Sequence, residues 1–136
     1  MSDAAGIVRE FCAAMVRRDA EALRGYLADD AVYQNTGMEA AAGVDAVVEN
    51  LAAQFAMFPD SYEYRMQNLA ANGDVVLTER LDMMRGPDGT LHGVPVMGAF
   101  VVRDGRISRW TDYWDTALPA RMMAGEDVSA LVPRTY

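Results

Sequence analysis

Apolar residues recur every three to four positions through the first sixty residues and every second position after that. The first pattern is that of helices with one buried face, the second that of strands in a sheet. Ile7, Val8, Phe11, Cys12, Met15 and Val16 form one stripe and predict an amphipathic N-terminal helix. Asp19 is placed to cap a second, short helix carrying Ala22, Leu23, Tyr26 and Leu27, which Asp29-Asp30 would end. Ala31 to Asn35 alternates and predicts a short strand. After Gly43 a third helix carries Val44, Val47, Val48, Leu51, Phe55 and Phe58, and Pro59-Asp60 stops it.

Strands follow. Tyr62, Tyr64 and Met66 share one face of the first, opposite Glu63, Arg65 and Gln67. Asn72-Gly73 is a hairpin signal leading into a second strand, Val75 to Met84. Gly86-Pro87-Asp88-Gly89 is a turn. The third strand, Val94 to Val102, is apolar on both faces, which predicts a central strand covered on both sides. Arg103-Asp104-Gly105 turns into the fourth, Arg106 to Trp114. The tail, with Pro119 and Pro133, reads as irregular structure with a helical turn. Helices first and an antiparallel meander afterwards predict an α+β fold, a single domain over residues 1–136, with helices on one face of the sheet.

Composition narrows the chemistry. One cysteine, Cys12, and one histidine, His92, exclude an intrachain disulfide and leave a Cys/His metal cluster without ligands. A histidine-dependent triad would have to run through His92, which sits just after a turn and reads as a surface or edge residue. Cys12 fits the core stripe as an inert small hydrophobe. Twelve basic against twenty acidic residues, a net charge of −8, and no basic run argue against a nucleic-acid partner. No stretch approaches a membrane span, and Met1 to Arg9 lacks the apolar run of a leader, so the expectation is a cytoplasmic protein. Any proton chemistry falls to carboxylates.

Two strands carry the candidates. On the fourth, Trp110, Asp112 and Trp114 share a face, opposite Arg109, Thr111, Tyr113 and Asp115. Either Asp112 points into an apolar interior between two indoles, or the indoles form a contact patch with Asp112 at its rim. On the second, Thr78, Arg80, Asp82 and Met84 lie opposite Leu77, Leu81 and Met83. By spacing alone an exposed Arg-Asp pair on a solvated face is the simpler reading. The meander offers another. Strands two and four flank the central strand, about 9–10 Å apart, so Arg80, Asp82 and Asp112 can converge on one concave face. An arginine between two aspartates holds both, one carboxyl keeping its proton as acid while the other acts as base. Tyr33 and Asn35 share a face of the short strand and could orient a water; a turn-forming asparagine after a core tyrosine is the simpler alternative.

These motifs together resemble the limonene-1,2-epoxide hydrolase family of the NTF2-like (SnoaL-like) superfamily. The resemblance is carried by Ala31-Val-Tyr-Gln-Asn35, Val75-Val-Leu-Thr-Glu-Arg-Leu-Asp82, and Gly98-Ala-Phe100 leading through Asp104-Gly-Arg-Ile107 to Trp110-Thr-Asp-Tyr-Trp-Asp115. It implies an NTF2-like cone: a curved, mixed, six-stranded sheet around a deep apolar pocket closed by N-terminal helices. It also implies a homodimer, while the acid–base pair by itself requires no cofactor or metal. By the match, Asp112 resembles the base that deprotonates water, Tyr33 and Asn35 the residues that hold it, Asp82 the acid and Arg80 the bridge. The implied reaction is one-step hydration of an epoxide to a vicinal diol, with no covalent intermediate. Met84, Val94 and Val96, with Met15 and Phe58, are the implied pocket lining and suit a compact alicyclic or terpenoid-like epoxide. The loop Thr36 to Gly43, the turn after Arg85 and Thr111 depart from the family pattern. An epoxide-opening cyclase and a non-catalytic binding protein are the alternatives.

Overall fold

In the computed structural model, which describes residues 3–133, Asp3 opens the first helix, α1 (Ala4–Ala14), by accepting from Gly6 N at 2.7 Å. The helix buries Ile7, Val8, Phe11 and Cys12. A 3-10 turn, Met15–Arg17, follows and rotates the stripe, so Met15 is buried but Val16 is 58% exposed. Val16 therefore lies outside the apolar face assigned from its spacing.

Asp19 caps α2 (Ala20–Leu23), accepting from Ala22 N at 3.2 Å. That helix is a single turn. Arg24–Tyr26 is 3-10, and strand β1 (Leu27–Asn35) begins at Leu27. Tyr26 and Leu27 thus leave the predicted helix, and Asp29-Asp30 lie within the strand instead of ending the helix. Pairing with β6 (Arg106–Tyr113) explains both: Leu27 is buried opposite Ile107, and a register shift between Leu27 and Val32 lets both aspartates face solvent. Gly43, at φ 91°, turns the chain into α3 (Val44–Met57), which buries Val47, Val48, Leu51 and Phe55.

The remaining strands are β2 (Ala41–Ala42), β3 (Glu63–Asn72), β4 (Val75–Arg85) and β5 (Leu91–Arg103). The sheet order is β2-β1-β6-β5-β4-β3, with β1 and β6 parallel and the other pairs antiparallel. Register shifts in the β1–β6, β3–β4 and β5–β6 pairs bend this mixed sheet around its contents. α1 and α3 lie on its inner face, and Phe11, Phe100 and Trp110 meet in the core between them. The tail adds α4 (Leu118–Met123), whose Leu118 and Met122 pack on Val94 and Val96 of β5.

β5 is central, as expected, but covered on one face only. Val94, Val96, Phe100 and Val102 are buried, whereas Met97 is 48% exposed. Among the described residues the helices pack on the inner side, and Leu77, Met97 and Tyr113 on the other side stay exposed. No helix among the described residues is long and apolar enough to cross a membrane.

Candidate active site

Three neighbouring strands converge on one polar cluster. Antiparallel register sets Gly98 of β5 between Thr78 of β4 and Asp112 of β6. Period two then points Thr78, Arg80 and Asp82 inward from β4, and Trp110 and Asp112 inward from β6. The exposed-pair reading of Arg80 and Asp82 fails, since they are 1% and 6% exposed. Trp110 is likewise core, stacked between Tyr33 and Phe100.

Arg80 uses all its donors. Nε reaches Asp82 Oδ1 at 3.0 Å and Nη2 reaches Asp82 Oδ2 at 2.9 Å. Nη1 and Nη2 reach Asp112 Oδ1 and Oδ2 at 3.1 and 3.0 Å, and Nη1 also reaches Thr78 Oγ1 at 3.2 Å. The Tyr64 ring lies 4.2 Å from the guanidinium carbon. This closeness depends on Gly98. A Cβ there would overlap Arg80 Nη1 and come within 2.9 Å of Asp112 Oδ1.

Burial sets the ionisation. It pushes the Asp82 carboxyl up to about 6, against the pull of Arg80. Burial acts against the charge on Arg80 too, but Asp112 and Asp82 outweigh it and hold the guanidinium well above its ordinary value. Asp112 accepts a further bond from Trp110 Nε1 at 2.8 Å, so its Oδ1 is doubly occupied while Oδ2 keeps one free lone pair.

Beside Asp112 the parallel β1 register places Asn35 opposite it and Tyr33 opposite Trp110. Asn35 Nδ2 donates to Tyr33 Oη at 2.9 Å, and Asn35 Oδ1 accepts from Trp114 Nε1 at 2.8 Å. Burial raises the Tyr33 phenol above its ordinary value. These groups open onto a cavity of about 390 Å³, walled by Phe58, Met84, Val94, Val96, Trp114 and the pocket side of α3. Among the described residues no cluster of three His, Cys, Asp or Glu is arranged to hold a metal ion.

The family model for the limonene-1,2-epoxide hydrolase catalytic domain matches residues 2–122. The chain belongs to this family. It is 33% identical over 109 residues to epoxide hydrolase EphG of Mycobacterium tuberculosis (strain ATCC 25618 / H37Rv), covering 79% of this chain and 70% of that protein. An LEH-like epoxide hydrolase structure from M. tuberculosis superposes with a TM-score of 0.76 at 30% identity, covering 96% of both chains. An NTF2-like protein of unknown function from Burkholderia pseudomallei K96243 shares the fold, with a TM-score of 0.77 at 18% identity over 90% of this chain and 98% of that one.

In this epoxide hydrolase family member, Tyr33, Asn35, Arg80, Asp82 and Asp112 come together, and Phe58, Met84, Val94 and Val96 line the cavity. Met15 does not. It is fully buried in the core between α1 and the sheet, because an apolar stripe does not reveal whether it faces core or cavity. Cys12 is buried, and burial pushes its thiol up to about 12, as an inert core position requires. His92 is half-buried and its Nε2 has no partner among the described residues. Gln54, Tyr62 and Tyr64 also line the cavity, beyond the residues that spacing and resemblance mark. Their signals existed: Tyr62 and Tyr64 alternate onto the inner face, and Asn50, Gln54 and Met57 form a second stripe along α3.

Proposed function

We propose that this chain hydrates a small apolar epoxide to a vicinal diol in one step, without a covalent intermediate. The observation that carries the reading is the Asp82–Arg80–Asp112 bridge, fully donated by the guanidinium and set at the floor of an apolar cavity. Water is held by Tyr33 and Asn35 beside Asp112. Asp112 collects three donors against two on Asp82, which suits it to the acceptor's part. Its free Oδ2 lone pair takes a proton from the water as the water oxygen attacks an epoxide carbon. The opposite C–O bond breaks, and its electron pair takes the proton of Asp82. An Asp82 pKa of about 6 leaves a useful fraction protonated near neutrality.

The cavity lies at the small end of the range of about 300–1,000 Å³ for ligand sites. With Met84, Val94, Val96 and Phe58 as walls, it favours a compact alicyclic or terpenoid-like epoxide. A homodimer belongs to the same proposal. The uncovered sheet face exposes Leu77, Met97 and Tyr113, at 48, 48 and 52%, in adjacent registers where a second copy would bury them. Sedimentation at micromolar concentration should give twice the chain mass.

The test is a single turnover of cyclohexene oxide or limonene oxide in oxygen-18 water. Label in the diol is the expected result. Label in an aspartate instead would mean an ester intermediate. A cyclised product without solvent oxygen would favour an epoxide-opening cyclase, and no turnover across a broad epoxide panel would leave a binding protein.

A further inference from the structure

Gln54 projects from α3 into the cavity and bonds neither aspartate, yet both its amide protons and its carbonyl oxygen are engaged on the water-holding side. Its Nε2 donates to Tyr33 Oη at 3.2 Å and to Asn50 Oδ1 at 2.7 Å. Its Oε1 accepts from the Tyr62 hydroxyl. Asn50 lies one helical turn back on the same face. These three contacts set the orientation of the amide, with nitrogen toward Tyr33 and oxygen toward Tyr62.

Counting donors and acceptors gives this orientation a consequence. A phenol oxygen has one proton to give and two lone pairs. Asn35 Nδ2 and Gln54 Nε2 both donate to Tyr33 Oη, at 2.9 and 3.2 Å. Both lone pairs are therefore occupied. The phenol proton finds no acceptor among the described residues and is left for the cavity. Asn35 behaves in the complementary way. One Oδ1 lone pair takes the Trp114 indole and the other stays open. A water between them would accept from Tyr33 and donate to Asn35 Oδ1 and Asp112. Its remaining lone pair would face the substrate.

We propose that Gln54 is a positioning residue for the hydration reaction: by filling the second lone pair of Tyr33 it fixes that phenol as a donor and so aims the lone pair of the attacking water. This rests on the epoxide hydrolase reading above. Without Gln54, Tyr33 can accept a bond from the water instead, and the water then has no fixed lone pair toward the epoxide. The Tyr62 hydroxyl serves the same end one step back, by holding Gln54 from turning over.

The experiment is a double-mutant cycle with Gln54→Met and Tyr33→Phe, followed by label-verified turnover of cyclohexene oxide. Methionine matches the length of glutamine and keeps the cavity filled but offers no donor. Gln54→Met should lower kcat about tenfold with KM nearly unchanged, the size of one lost hydrogen bond in the transition state. In the Tyr33→Phe background the same change should cost nothing further, since the residue acts through that phenol. A structural role would instead lower the melting temperature and cost the same in both backgrounds. Neutron diffraction of the deuterated parent supplies an arm independent of turnover, with the Tyr33 deuteron expected toward the cavity and a Gln54 amide deuteron toward Tyr33. Inert parent protein on every epoxide would sink the hydrolase reading and this role with it. Active parent with an unchanged kcat in Gln54→Met, additive losses in the cycle, or a Tyr33 deuteron aimed at Gln54 would overturn the positioning role alone.

Discussion

Gly98→Ala is the smallest change that should dismantle the site. The added Cβ would overlap Arg80 Nη1 and come within 2.8 Å of Thr78 Oγ1 and 2.9 Å of Asp112 Oδ1. Relief by rotation is blocked. Arg80 donates in five directions, the Tyr64 ring lies 4.2 Å from its guanidinium, and Thr78 and Asp112 are fixed in strand register opposite the glycine. Either the strands separate or the Arg80–Asp112 bonds break. Overpacking costs about 1–3 kcal/mol, and a severed buried ion pair about 3–5 kcal/mol. A loss of about 3 kcal/mol, the overlap of the two ranges, corresponds to a fall in melting temperature of roughly 10 °C for a chain of this size. Displacing Asp112 by even an ångström should cost about 100-fold in kcat/KM. Gly25→Ala is the control, since a Cβ there meets nothing within 4 Å. Its stability should stay within about 0.5 kcal/mol of the parent. Calorimetry at fixed protein concentration and epoxide turnover are the assays. A Gly98→Ala protein melting within about 2 °C of its parent and retaining turnover would refute the close-packed bridge, given the expected sensitivity of such cores.

Other outcomes follow from the same geometry. Asp112→Asn and Asp82→Asn should each remove epoxide turnover while far-UV circular dichroism stays native, because the amide keeps the carboxyl's shape. Burial lifts Asp82 from 3.8 to about 6, so as the acid it should give a kcat/KM that falls as pH rises above about 6. That limb should be missing from a reaction in which Asp82 takes no part. The stability linkage has the same sign. Since the folded state binds this proton more tightly than the unfolded chain, its contribution is complete below pH 3.8 and lost as pH rises through about 6. The loss is on the order of 3 kcal/mol and is read as the difference between parent and Asp82→Asn in urea titrations. Met15→Ala should destabilise by about 2–5 kcal/mol through a core cavity while leaving KM for epoxides alone.

What period and spacing could reveal was the inward face of each strand. Thr78, Arg80 and Asp82 on one strand and Trp110 and Asp112 on another share their faces by arithmetic alone. Whether those faces were dry was not in the spacing. It depended on helices packed over the sheet from residues far away in sequence, and on the pairing of both strands to β5. The strand β2, two alanines long, had no period to read. Leu27 carries a helical spacing that sheet pairing overrode, and Tyr26 lies in the 3-10 turn just before it. Met15 on an apolar helical stripe and Met84 on the face of Arg80 and Asp82 are the same residue type, and only the three-dimensional fold separates core from cavity. Gln54 escaped because α3 has two working faces: Val47, Val48, Leu51 and Phe55 seal the core, while Asn50, Gln54 and Met57 reach the cavity.

The symmetry of the Arg80 contacts bears on how charged chemistry can proceed in so dry a site. Creating a net charge among buried groups costs several kcal/mol. In the proposed step one proton leaves Asp82 and another arrives at Asp112, so the two carboxyls exchange states and the pair keeps its total charge. Arg80 bonds each of them with two contacts between 2.9 and 3.1 Å, and so faces the same charge before and after. A planar, five-donor group can serve both carboxylates at once; a lysine ammonium, with three donors on a compact point charge, must favour one. Arg80→Lys should therefore retain much of the positive charge yet lose turnover, because the two carboxyls would no longer exchange protons on equal terms.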